Sequence, residues 1–153
     1  MRGMAIIAAL LAVAAAQPGW TAEKAKPRTA AACAPEAAQE AEQAIRYLTD
    51  LMVISSTCQN TVYAEFRLRN RDAIVGYQKA LIARFHGAAG FDHWNTALAN
   101  QIAQRHAGVL TLCQDSAPLL KQATTLDLNG FRAYAAAQAA SAIAANADCK
   151  TKK

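Results

Sequence analysis

The chain has 153 residues, 54% hydrophobic and 18% charged, with a net charge of +5. That length is one domain's worth, which excludes a multidomain enzyme or a long repeat array, and seven Gly with four Pro are too few for a collagen or a linker protein. The mild positive charge forms no broad patch, so nucleic acid is not an expected partner, while Ala, the strongest helix former, fills about a quarter of the chain and points to an all-α fold.

Residues 1–16 read as a signal peptide. Arg2 gives the positive start, Met4 to Ala16 carries no charge, and Ala14 and Ala16 place small residues before Gln17. The apolar run is shorter than the ~20 residues that span a bilayer, so no membrane span is expected after cleavage. The chain is therefore expected to be exported, either periplasmic or secreted. Residues 17–33, with Pro18, Gly19, Pro27 and alternating charges, read as a flexible leader.

The folded part is expected over 34–149. Pro35 opens a first helix, about 35–55, whose stripe is Ala41, Ala44, Ile45, Leu48, Leu51 and Met52, with Ser55-Ser56-Thr57 breaking it. A second run, about 59–86, carries Tyr63, Phe66, Asn70, Ile74, Tyr77, Leu81 and Phe85, with a kink near Asn70 and Gly87 as its C′ residue. A third, about 92–113, has Asp92 as N-cap and Phe91, Trp94, Leu98, Ile102, Val109 and Cys113 as its stripe. A fourth runs from Asp115 or Ser116 to about 146, broken between Thr124 and Gly130. Lys150, Lys152 and Lys153 make 150–153 a basic tail. The expected fold is an all-α, four-helix up-down-up-down bundle with the fourth helix broken.

Cys33, Cys58, Cys113 and Cys149 form an even set without CxxC or CxxCH spacing, which excludes a zinc ribbon, a thioredoxin motif and covalent haem. Two disulfides are expected in an oxidising compartment. Helices of about 33 Å separate the ends of the bundle, and disulfide Cα atoms lie within ~7 Å. Only Cys33–Cys149 at one end and Cys58–Cys113 at the other suit the topology.

Catalytic signatures such as GxSxG, HExxH or a phosphate loop do not occur, so the chain is not expected to be an enzyme. The most distinctive stretch is Tyr63 to Asp72. Tyr63, Arg67, Asn70, Arg71 and Tyr77 line a candidate groove for an anionic or carboxylate ligand. The structural alternative has Asn70 fixing register while Arg67 and Arg71 pair with Asp50 or Glu42, and Glu65, Arg69, Asp72 and Lys79 form a solvated face. His86, Asp92 and His93 converge across a short turn as a weaker metal candidate. No cofactor is expected. The reading that follows is an exported, non-enzymatic binding or interaction module of a bacterial-type cell envelope, with an envelope protein or small anionic ligand as partner. A structural or stress-protective chaperone-like protein is one alternative. A metal- or haem-carrying bundle, with Met52 and His106 as axial ligands, is another.

Overall fold

A computed structural model describes residues 34–106 and 111–145, and every described element is helical. The order is α1 (Glu36–Thr57), α2 (Val62–Arg69), α3 (Arg71–Arg84), α4 (Ala88–His106), α5 (Leu112–Asp115), α6 (Ala117–Thr125) and α7 (Leu128–Ala145). The segments read as signal peptide, leader and basic tail, with Cys33 and Cys149, lie outside the described residues.

α1 begins where Pro35, in extended backbone, accepts the Ala38 and Gln39 amides on its carbonyl oxygen. The expected stripe of Ala41, Ala44, Ile45, Leu48 and Leu51 is buried, but Tyr47, Thr49, Ile54 and Ser55 are buried too, and Met52 is only half-buried. Burial thus exceeds one stripe, because α1 is the central helix and meets all six others. Its largest interfaces are with α7 and α3, followed by α4. The Ser-Ser-Thr stretch does not break it. Thr57 Oγ1 donates to the Val53 carbonyl oxygen within the last turn, and the Ser55 hydroxyl oxygen accepts the Tyr63 amide at the start of α2.

The second run is interrupted at Asn70, as its polar place in the stripe predicts, and the break gives α2 and α3. The end of α3 corrects the expected cap. His86, not Gly87, takes the left-handed C′ position (φ 59°), and the Gly87 amide reaches back to the Ile82 carbonyl oxygen at 2.9 Å while His86 reaches Ala83. That is a Schellman closure. α1 ends the same way, with Gln59 at φ 52° and the Asn60 amide on the Ser55 carbonyl oxygen.

The third run starts earlier than expected, at Ala88, so Asp92 lies inside α4 and is no N-cap. Gly90 is required there: a Cβ would collide with the Phe85 carbonyl oxygen. The described part of α4 runs to His106, Val109 of the expected stripe lies outside the described residues, and Cys113 belongs to α5. The fourth run breaks at Leu126-Asp127, within the expected stretch between Thr124 and Gly130. Asp127 Oδ1 accepts the Gly130 amide at 2.7 Å and caps α7.

The core joins α1, α2, α3 and α7 through aromatic rings. Phe66 and Phe131 meet edge-to-face at 4.9 Å, Tyr77 meets Phe131 at 5.8 Å, and Tyr47 touches Phe66, Phe131 and Tyr134. Such pairs add about 0.5–1.5 kcal/mol each beyond area burial. Polar ties reinforce the α1–α3 interface: Tyr77 donates to Glu40 at 2.6 Å, and Glu42 accepts both Arg46 and Arg84. Cys58 and Cys113 form the expected disulfide, with Cα atoms 5.6 Å apart, fastening the end of α1 to α5.

Candidate functional site

The outer face of α2 and α3 brings together two of the five residues singled out for ligand binding, with a third beside them. Arg67 and Arg71 lie one turn apart on either side of the Asn70 break, and both are exposed. They line a shallow groove of about 380 Å³ with Leu68, Ile74, Val75 and Gln78. The Arg67 guanidinium lies 5.5 Å from the Tyr63 ring centroid, a cation–π contact that keeps its charge at the groove. Among the described residues, neither arginine pairs with a carboxylate.

The carboxylates expected to take them are engaged elsewhere. Glu42 holds Arg46 and Arg84, and Asp50 faces Arg105 at 3.5 Å. The expected pairing of Arg67 and Arg71 with helix 1 is therefore corrected, and two cationic groups remain directed at solvent.

Leu68 and Val75 were not marked by the sequence reading. They are the exposed large hydrophobic side chains among the described residues, at 79% and 38% exposure. One signal was available: Leu68 falls outside the stripe of Phe66, Asn70 and Ile74, between two basic residues.

The other two ligand candidates face different neighbours. Asn70 is fully buried, and its Nδ2 donates to the carbonyl oxygens of Phe66 (3.1 Å) and Leu126 (3.3 Å). Arg69 joins it. Its Nε donates to Leu126 O at 3.1 Å and its Nη2 to Ala123 O at 2.7 Å. Arg69 is thus no member of a solvated charge ladder; with Asn70 it satisfies the open carbonyls at the end of α6. Tyr77 lines a second hollow, with Asp72 and Arg132, and its hydroxyl is committed to Glu40. Burial, then the hydrogen bond to Glu40, pushes this phenol well above the ordinary tyrosine range, so it stays protonated.

The metal candidates do not converge. His86, Asp92 and His93 are each exposed, and among the described residues no three His, Cys, Asp or Glu side chains gather around one point. His86 instead serves as the left-handed residue that closes α3. Met52, one of the haem-ligand candidates, is half-buried on α1.

No protein-family model, curated protein or solved structure matches this chain, so the site is read from its own chemistry.

Proposed function

We propose that the chain is an exported, non-enzymatic binding module whose α2–α3 face docks an acidic amphipathic helix of an envelope protein. The observation that carries the reading is the Arg67–Arg71 couple, without a carboxylate partner among the described residues, beside exposed Leu68 and Val75. Charge complementarity selects an acidic partner. Leu68 and Val75, seven residues apart, match apolar residues at heptad spacing on a facing helix, with Asp or Glu beside them. A small anion would use the arginines and leave both hydrophobic side chains unexplained. Two such side chains framed by cations also make a discrete docking point, unlike the broad apolar patch that a chaperone-like surface needs.

The export reading rests on the sequence of residues 1–16, and the Cys58–Cys113 disulfide supports an oxidising destination. We extend the same topology to a Cys33–Cys149 bond that would close an up-down-up-down bundle, with α2–α3 and α6–α7 each acting as one interrupted helix. Intact mass of unreduced protein from an exporting host tests this part: a chain starting near Gln17 with no free thiol is expected, and retained Met1 with free thiols contradicts it.

The docking is expected to be weak. Exposed ion pairs contribute about 0.2–1 kcal/mol each, and burying a Leu or Val about 1.5–3 kcal/mol. After the cost of association, the dissociation constant falls on the order of 1 mM or weaker. Fluorescence anisotropy of a labelled acidic amphipathic peptide tests it. The R67A/R71A double variant is expected to weaken binding about tenfold with unchanged thermal melting, and salt to weaken the wild type in the same sense. Equal binding by wild type and variant would refute the proposal.

A further inference from the structure

The start of α7 carries a residue pair whose chemistry neither the packing nor the docking face uses. Of the six asparagines in the chain, Asn129 alone is followed by glycine. In such a pair the glycine backbone nitrogen is a nucleophile, and the asparagine side-chain carbonyl carbon, Cγ, is its electrophile. Their union closes a small ring, a succinimide, and glycine brings no Cβ to crowd the approach. Asn129 is exposed, so water and hydroxide reach it.

The fold holds the pair back. Asn129 and Gly130 lie in the first turn of α7. Ring closure needs the Asn129 Cβ and the Gly130 nitrogen on the same side of the Asn129 Cα–C bond, and α-helical ψ keeps them apart. The proton on the nucleophile is engaged as well: the Gly130 amide donates to Asp127 Oδ1 at 2.7 Å. The next amide, that of Phe131, donates to the Asp127 carbonyl oxygen at 2.8 Å. Asp127 thus pins two successive amides of the turn. Glycine is also what the packing accepts at this point, because a Cβ on Gly130 would lie 3.2 Å from Asp127 Oδ1 and 3.3 Å from Leu126 Cδ2. The residue that suits the tight turn is the one that makes Asn129 reactive.

We infer that Asn129 is a site of spontaneous deamidation, latched by Asp127 and released when the first turn of α7 opens. In the open turn the Gly130 nitrogen attacks Cγ of Asn129. The N–Cγ bond forms, the Cγ–Nδ2 bond breaks, and Nδ2 departs as ammonia with the proton that the Gly130 nitrogen loses. Water then opens the ring. Attack at Cγ gives aspartate, and attack at the main-chain carbonyl carbon of residue 129 gives isoaspartate, with Gly130 joined through Cγ.

The two products differ in effect. Aspartate places a negative charge in the first turn of α7, where the helix N-terminus favours it. Isoaspartate inserts Cβ into the main chain and moves Gly130 off Asp127. That turn adjoins Phe131, fully buried in the aromatic core, and Leu126, whose carbonyl oxygen accepts Arg69 and Asn70. The isoaspartyl form is the one expected to melt at lower temperature.

Ageing the full chain at neutral pH, folded and unfolded in urea, tests the assignment. Conversion is read by the mass gain of an amide becoming an acid, by peptide mapping and by isoaspartate detection. Asn129 is expected to convert roughly tenfold or more slowly in the folded chain, whose turn is open for a fraction of the time. D127A is expected to speed conversion of the folded chain about fivefold, the gain in opening that follows loss of an N-cap. D127S, which keeps an oxygen acceptor, is expected to stay near the wild-type rate, and all three chains are expected to convert alike in urea. Three results would overturn the inference: no conversion at Asn129 in urea, equal wild-type rates in the folded and unfolded chains, or a folded D127A that converts no faster than wild type. The last would make the Asp127 carboxylate a spectator, or the base that promotes attack, and not the latch.

Discussion

At the scale of single residues, the two helix closures show a cost left in the backbone. His86 and Gln59 both adopt left-handed φ, a region that disfavours side chains with a Cβ by about 1–2 kcal/mol. Glycine relieves that strain and returns part of the gain as unfolded-state entropy. His86→Gly is therefore expected to raise stability by about 0.5–1 kcal/mol, seen as a higher urea midpoint. A lower midpoint would mean that the imidazole makes a contact that outweighs the strain. Tyr47 is the other residue with a measurable signature. Its folded pKa is raised, so the native state holds its proton when the unfolded chain, with an ordinary value near 10, releases it. The stabilisation is complete below about pH 10 and is lost above it, at roughly 1.4 kcal/mol per pH unit. Urea melts between pH 8 and 11 are expected to show a plateau followed by a fall, and Tyr47→Phe is expected to make the fall shallower.

At the scale of elements, the Arg69–Asn70 junction decides how α6 sits on α2. Two side chains supply three hydrogen bonds to the carbonyl oxygens of Ala123 and Leu126, where a helix end meets the core. Hydrogen bonds from a charged donor contribute about 1.5–3 kcal/mol, and losing them strands acceptors. Arg69→Met keeps much of the stem and is expected to cost about 2 kcal/mol by chemical denaturation; a change under about 0.5 kcal/mol, the range of ordinary surface substitutions, would contradict the role. Periodicity made the helical segments and the break at Asn70 legible, because a polar residue inside an apolar stripe needs a reason. It did not make the element ends legible. Gly87 carries the usual signature of a C′ residue but stands one place too late, and His86 and Gln59 carry no such signature. Arg69 was misread because i,i+4 charge spacing describes contacts along one helix and says nothing of a carbonyl some 54 residues away in sequence.

At the scale of the whole molecule, α1 is the axis on which the other helices assemble. Its sequence shows one stripe, and its further buried residues lie beyond it, with Tyr47 packed against rings of α2 and α7. The Cys58–Cys113 pairing is the one expected from helix lengths, although Cys113 sits on α5 and not on the third run as read. It closes a 55-residue separation, for which chain entropy gives a stabilisation of about 4 kcal/mol. Cys58→Ser is expected to lower unfolding free energy by about 2–4 kcal/mol without loss of helical circular dichroism; an unchanged denaturation midpoint would contradict that contribution. The docking face was half legible. Arg67 and Arg71 stood out as a basic pair, but that Glu42 and Asp50 meet Arg46, Arg84 and Arg105 and leave this pair without a carboxylate among the described residues is visible only in the structure.

That freedom is the basis of the functional proposal, and amide chemical-shift mapping tests it most directly. The ¹⁵N-labelled chain is titrated with an acidic amphipathic helical peptide. The expected shifts cluster on α2 and α3 around Arg67, Leu68, Arg71 and Val75. Shifts confined to helices other than α2 and α3, or none at all, would contradict the account.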